Sequence, residues 1–273
     1  MVLLLINNLI DSFNRVKNKG NLIHCITNPI SINICANTIL STGNRPIMAE
    51  HPKEVYNITK SSNGLLLNLG NITDARMKSI KISSKAAKKE SVPIVLDVVG
   101  ISCSNLRKAY TKKLIKKYTP DVIKGNYSEI YALYKNEYCS KGVDSEIIDK
   151  EKITKVAINL SNKYNCVVLA SGKTDIIASK ENHTYINNGV EQLSHITGTG
   201  CILGSLIATF ITEASSYAGT ILACVVLGIA GEMAQIPDKN ASFQAKLIDE
   251  LSSFDTVEIK NKIKMEEKSN EEV

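Results

Sequence analysis

The sequence predicts an α/β protein, a single domain with a mainly parallel central sheet and helices on both faces. Three observations carry this. Short, almost continuously apolar runs alternate with longer mixed segments, the pattern of βα units whose strands are buried on both sides. No stretch rich in Pro, Gly or Ser divides the chain, and no internal repeat is visible. The 273 residues are 44% apolar and 22% charged, enough for one large core and too balanced for wholesale disorder.

The elements follow in order. Leu22 to Thr27 reads as a strand ending in a polar turn at Asn28-Pro29, and Ile32 to Thr42 as a helix closed by Gly43. Gly64 to Leu69 is a strand ending at Gly70-Asn71. Thr73 to Glu90 is helical, with Ile80 and Ala87 inward and Lys78, Lys81, Lys85, Lys88 and Lys89 outward. Pro93 to Val99 is a strand with Asp97 near its end, followed by a Lys-rich helix over Leu106 to Tyr118. Asp121 to Lys124 is a short strand running into Gly125-Asn126. Ile153 to Tyr164 is a helix, and Cys166 to Ala170 a strand entering Ser171-Gly172-Lys173. Ile176 to Ile186 has the look of an edge hairpin, Cys201 to Ile236 of apolar helix, and Phe243 to Phe254 of a last helix. The weakly polar run Ala218 to Ala234 contains Gly219, Gly228, Gly231 and Glu232, so it predicts a buried helix rather than a membrane span. The expected domain is 1–259, and 260–273 a charged, frayed tail.

Composition excludes several classes. The net charge of +6, 33 Lys+Arg against 27 Asp+Glu, is mild and scattered, the mark of a solvated surface. Trp is absent and aromatics are 5%, which argues against stacking platforms for nucleic acid. Seven cysteines, at 25, 35, 103, 139, 166, 201 and 224, form no CxxC pair. That suits a reducing cytoplasm better than a disulfide framework or a zinc ribbon. Met1 to Ile6 is too short for a signal segment. Gly172-Lys173-Thr174 mimics the end of a phosphate-binding P-loop, but the first glycine that pattern needs is Val167. His24 and His51 lack zinc spacing; His24 is expected half-buried and His183 solvated.

In open α/β sheets ligands bind beyond the carboxyl ends of the strands. Those ends carry Asn28, Asn68, Asp97, Lys124 with Asn126 and Glu129, Ser171, and the turn Gly198-Thr199-Gly200-Cys201. Glycines there let backbone N–H groups converge, and the apolar helix that follows adds a positive N-terminus, so an anion hole for a transferred phosphoryl group is one reading. A glycine-rich cap on a buried helix is the other. Cys201 is either a small packed hydrophobe or, at a helix N-terminus, a thiol lowered enough to accept a proton. Asp97 and Glu129 are either structural caps or the pair of carboxylates a Mg²⁺ ion takes beside substrate phosphates.

Six motifs in register resemble the hydroxyethylthiazole kinases. They are His24-Cys25-Ile26-Thr27-Asn28-Pro29-Ile30-Ser31-Ile32-Asn33 with Ala36-Asn37; Pro46-Ile47-Met48-Ala49-Glu50-His51-Pro52; Asn68-Leu69-Gly70-Asn71; Leu96-Asp97-Val98-Val99-Gly100; Val122-Ile123-Lys124-Gly125-Asn126-Tyr127-Ser128-Glu129; and Gly198-Thr199-Gly200-Cys201. The match runs from about residue 21 to about residue 250. The resemblance implies a ribokinase-like fold, ATP with Mg²⁺, and phosphorylation of the hydroxyl of 4-methyl-5-(2-hydroxyethyl)thiazole in thiamine biosynthesis and salvage. It also implies a homotrimer with active sites shared between subunits. By position, Asn28, Met48 and Gly198 would meet the thiazole, Lys124 and Ser171 the ATP phosphates, and Asp97 and Glu129 the metal. Gly198, Thr199, Gly200 and Cys201 would form the anion hole, with Cys201 as base or as positioner of the hydroxyl. Lys124 and Ser171 stand where the family often has Arg and Thr, and Lys loses the bidentate fork. Lys239-Asn240-Ala241 replaces a Gly-Pro-Gly, and Cys103 replaces a usual small residue. Two alternatives are a related kinase of hydroxymethylpyrimidine or pyridoxal, and a non-catalytic thiazole-binding trimer.

Overall fold

The computed structural model describes residues 2–135 and 149–272. In order the elements are α1 (Val2–Lys19), β1 (Leu22–Ile26), α2 (Ile32–Ser41), β2 (Arg45–Ile47), α3 (Val55–Lys60), β3 (Gly64–Asn68), α4 (Asp74–Glu90), β4 (Ile94–Asp97), α5 (Asn105–Tyr118), β5 (Val122–Asn126) and α6 (Tyr127–Tyr134). Then come α7 (Lys150–Tyr164), β6 (Val167–Ser171), β7 (Asp175–Ala178), β8 (Asn182–Ile186), α8 (Thr199–Phe210), α9 (Ser216–Ala234), α10 (Asn240–Ser252), α11 (Thr256–Lys262) and β9 (Met265–Ser269). One nine-stranded sheet has the order β2-β1-β3-β4-β5-β6-β7-β8-β9. Pairings from β2 through β6 are parallel, and those from β6 to β9 antiparallel.

Strand alternation divides the core in two. Leu66, Val95, Val122, Leu169 and Ile177 join one apolar cluster with α1, α8, α9 and α10. Leu65, Leu67, Ile94, Leu96, Ile123, Val168 and Ile176 join the other, with α4, α5, α6 and α7. The strands are therefore apolar almost without interruption, as a sheet covered on both faces requires. Helix starts are set locally: the side chains of Thr73, Ser104, Asp149 and Ser215 accept backbone N–H bonds at the starts of α4, α5, α7 and α9. Asn126 and Glu129 form a reciprocal capping box on α6.

Several expectations need correction. The apolar stretch from Cys201 to Ile236 is two helices, broken where Ser215 caps α9 through Ala218 N–H. Helix α9 has a mean hydropathy of 1.7 and 78% of its apolar window is buried, so it is a core helix of this fold. The β7–β8 hairpin is not the edge. Residues 260–273 do not fray: β9 adds to β8 with Ile186 opposite Met265 and Asn182 opposite Ser269. The Asn270 amide then donates to Ser179 O at 2.9 Å. Its charged composition is that of an edge strand, half in water, which reads like a disordered tail. Neither His24 nor His183 is exposed. The two nitrogens of His24 bond Thr59 Oγ1 at 2.9 Å and Ala49 O at 2.8 Å, and burial lowers its pKa. The His183 Nδ1 meets Asn270 Oδ1 at 3.0 Å. Cys139 lies outside the described residues.

Candidate active site

Parity builds the site. Asn68, Asp97 and Lys124 are the residues after Leu67, Leu96 and Ile123, so they face the side of the sheet that α8 covers. Asn68 is opposite Asp97, and Asp97 opposite Lys124, across the strand ends. Ser171, after Ala170, projects to the same side. Helix α8 can come down on them because Gly204 has no side chain; a Cβ there would stand 3.2 Å from Leu66 Cδ1 and 3.7 Å from Asp97 Oδ2.

The polar groups form a chain of contacts. Asp97 is wholly buried, and its Oδ2 accepts from Lys124 Nζ at 3.1 Å and from Asn68 Nδ2 at 2.9 Å. Asp97 Oδ1 has no protein partner. The Asn68 amide also reaches Cys201 Sγ at 3.5 Å, so it stands between Cys201 and Asp97. Burial pushes the Asp97 carboxyl up to about 6 although Lys124 opposes the shift. Burial works against the Lys124 charge, but Asp97 and Glu129 outweigh it and hold the ammonium above its ordinary value. The Cys35 thiol, hydrogen-bonded to Cys201, brings the Cys201 thiol down to about 7 against the effect of burial.

Glu129 sits beneath this chain. Its Oε1 accepts from Gly100 N and its Oε2 from Asn126 N, both at 2.8 Å. Above it, Gly198 opens α8 at φ 97° with no side-chain cap. Glycine alone takes that backbone readily, and the first-turn N–H groups are left for a ligand. A Cβ on Gly200 would lie 3.5 Å from Lys124 Nζ, so the glycine turn closes over the lysine. Thr199 Oγ1 bonds Ile196 O at 3.4 Å.

The remaining sequence-derived residues surround this centre. Asn28 caps the turn before α2 through Ile30 N at 3.2 Å. Its amide nitrogen lies against Gly70, whose N–H in turn bonds Asn68 Oδ1 at 2.8 Å. Met48 is half-buried and packs against the apolar cluster on the α8 side. Ser171 Oγ donates to Gly125 O at 3.3 Å, one strand removed from Lys124. The lysine expected at a phosphate is thus engaged with Asp97 inside the protein. Sequence reasoning leaves Cys35 and Asp175 without roles. Cys35 sits one helical turn after Ser31, which also bonds Cys201. Burial pushes the Asp175 carboxyl up to about 6, while Gly172 N–H, the Cys224 thiol and Lys124 restrain it. Neither could be found from spacing alone, because each belongs to the site only through a distant element.

A profile of the hydroxyethylthiazole kinase family matches residues 13–257. The chain belongs to that family. "Hydroxyethylthiazole kinase 2" of Clostridium botulinum (strain 657 / Type Ba4) is 48% identical over 257 residues, covering 92% of this chain and 97% of that protein. The hydroxyethylthiazole kinase structure from Pyrococcus horikoshii OT3 superposes with TM-score 0.87 at 29% identity, covering 95% of this chain and 98% of the other. A ribokinase-like superfamily protein of Enterococcus faecalis V583 shares the fold, with TM-score 0.63 at 11% identity over 91% of this chain and 88% of that one. This hydroxyethylthiazole kinase family member therefore has the ribokinase-like α/β architecture that its strand pattern predicts.

Proposed function

We propose that this chain transfers the γ-phosphoryl group of ATP to the hydroxyl of 4-methyl-5-(2-hydroxyethyl)thiazole, a step of thiamine biosynthesis and salvage. The observation that carries the reading is a family match over residues 13–257 that includes every residue of the strand-end cluster. The pyridoxal kinase alternative is not favoured, since likeness to the Staphylococcus aureus enzyme is at 13% identity and concerns the fold.

The residues present fit Mg²⁺. Asp97 Oδ1 is a buried carboxylate oxygen without a protein partner, and Glu129 brings a second carboxylate next to it. Among the described residues no group of three or more His, Cys, Asp or Glu forms a fuller cage, and Mg²⁺ usually takes only one or two carboxylates with phosphate oxygens. When bound, the ion supplies neutralisation of charge on the transferring phosphoryl group. Asp97 and Glu129 would hold it.

The chain's own groups account for the rest. Lys124, beneath Gly200, contributes positive charge where the phosphates converge, and Ser171 a hydroxyl. The N–H groups of Gly198, Thr199, Gly200 and Cys201 form the hole for developing anionic charge, at the positive end of α8. Cys201, with a pKa near 7, accepts the hydroxyl proton as phosphoryl transfer proceeds. Asn28 and Met48 line the thiazole, with the soft thioether against the sulfur heterocycle, and Gly198 leaves room for the alcohol.

A homotrimer with shared active sites fits the exposed Ile30, 71% accessible beside Asn28, which a neighbouring subunit would cover. A cytoplasmic setting fits the cysteine usage. Light scattering tests the trimer. The activity test is ADP release from Mg-ATP in the presence of hydroxyethylthiazole. Turnover with pyridoxal or hydroxymethylpyrimidine and none with the thiazole alcohol would overturn the substrate. Calorimetric binding of the thiazole without turnover would favour the non-catalytic trimer.

A further inference from the structure

We propose that Cys35 is a positioning residue for Cys201, its thiol donating a hydrogen bond that holds the Cys201 sulfur as a proton acceptor. The inference rests on the reading of Cys201 as the site's base. Cys35 is wholly buried on α2, and α2 packs on α8. Two of its residues one turn apart, Ser31 and Cys35, place their side chains on Cys201. The Ser31 hydroxyl also lies 3.5 Å from where a Gly198 Cβ would be. The N-terminal turns of the two helices are thus joined by polar groups rather than by apolar packing alone.

The direction of the bond follows from the surroundings. Cys201 faces Asn68 on β3, Asp97 on β4, Lys124 on β5, and Ser31 and Cys35 on α2. The Lys124 cation favours a thiolate there, Asp97 disfavours one, and the Asn68 N–H already points at the sulfur. Around Cys35 stand Cys201 and Ser205 on α8 and Cys25 on β1, with no cation among them. Ser205 Oγ donates to Cys201 O at 3.0 Å, which anchors the residue's backbone. A shared proton therefore resides on Cys35, and the electron pair on Cys201. Two donors, the Cys35 thiol and the Asn68 amide, then converge on one sulfur. The Asn68 amide separates that sulfur from the Asp97 carboxylate, so Cys35 acts without touching the residues assigned to the metal.

The test uses the full chain. Steady-state kinetics, the pH profile of kcat, the thermal midpoint and the rate of Cys201 carboxamidomethylation by iodoacetamide at pH 7 are compared for the wild type, Cys35→Ala and Cys35→Ser. Cys35→Ala is expected to lower kcat roughly tenfold, the scale of one hydrogen bond to a charged acceptor, with both KM values unchanged. It should also slow alkylation of Cys201 and move the acid limb of kcat to higher pH. Cys35→Ser keeps a donor and should recover most of the rate. In a Cys201→Ala background, Cys35→Ala should cost nothing further. Wild-type alkylation and an unmoved acid limb in Cys35→Ala would overturn the proposal, as would an equal loss of kcat in the Cys201→Ala background. If Cys201→Ala alone keeps full activity, the base reading fails by itself, and the alkylation rates still decide whether Cys35 acts on Cys201. Should Cys35→Ala not fold, Cys35→Val fills the site without a donor and takes its place.

Discussion

Replacing Lys124 by Met isolates the buried ion pair, because Met retains most of the aliphatic stem while removing the charge. Asp97 and Lys124 are both inside the protein, their side chains 0% and 4% exposed, with N to O at 3.1 Å. Removing one partner of such a pair typically costs about 3–5 kcal/mol, since the remaining charge is left without compensation. Asp97 has an escape, however. Burial already lifts its carboxyl from 3.8 to about 6, and without Lys124 it rises further. A group whose folded pKa is raised binds protons more tightly when folded. Its contribution is therefore fully present below the unfolded value and is lost as pH climbs through the folded one. Wild type and variant should thus differ least near pH 5, where Asp97 is largely neutral in both. The gap should open above about pH 6 and grow by about 1.4 kcal/mol per pH unit, until the variant's own Asp97 ionises or the protein unfolds. Urea denaturation of both proteins from pH 5 to pH 8.5 measures this. A gap that stays constant across that range, or closes toward pH 8.5, would refute the coupling.

Other expectations concern the site and the frame around it. Cys201→Ala should lower kcat, whereas Cys201→Asp should keep or raise it; an unchanged rate in Cys201→Ala removes the base from the mechanism. In the wild type kcat should fall as pH drops through about 7, where Cys201 gains its proton, and a profile flat from pH 5.5 to 8.5 would contradict this. Gly228→Ala puts a Cβ 2.6 Å from Asn188 Cβ, an overpacking that should cost about 1–3 kcal/mol in urea denaturation. Ending the chain after Lys264 removes β9 and opens the β8 edge; a loss of at least about 1 kcal/mol, roughly 2–4 °C in thermal midpoint, is expected. An unchanged midpoint would mean that β9 contributes nothing to the fold.

What the sequence reveals and what it hides divide along physical lines. Central strands such as Leu65-Leu66-Leu67 and Val95-Leu96 are legible because burial on both faces leaves a continuous apolar run. Helix α4 is legible because its lysines face water while Ile80 and Ala87 are buried. Strand β2, three residues long, and helix α3, six residues long, are too short for any period to show. Strand β9 is hidden because an edge strand carries charge. Asp97, Lys124 and Cys201 are legible as strand-end and helix-start polar residues, but their mutual burial is not. Nothing in the spacing of Lys124 says that its ammonium turns inward to Asp97.

The inward turn follows from strand parity, and it explains why so few residues carry the chemistry. Each strand has one position past its last apolar residue, and on β3, β4, β5 and β6 that position falls on the side facing α8. Polar side chains there must satisfy one another, because α8 lies close enough at Gly204 to exclude water. Asn68, Asp97 and Lys124 do so among themselves and leave one carboxylate oxygen over. The same covering helix begins with Gly198 and carries Cys201 in its first turn, so the glycines that open the anion hole also set the thiol against Asn68. A change in the path of α8 would therefore disturb the carboxylate, the cation, the thiol and the backbone donors together. The close approach at Gly204 is as much a condition of the site as any of the polar groups beneath it.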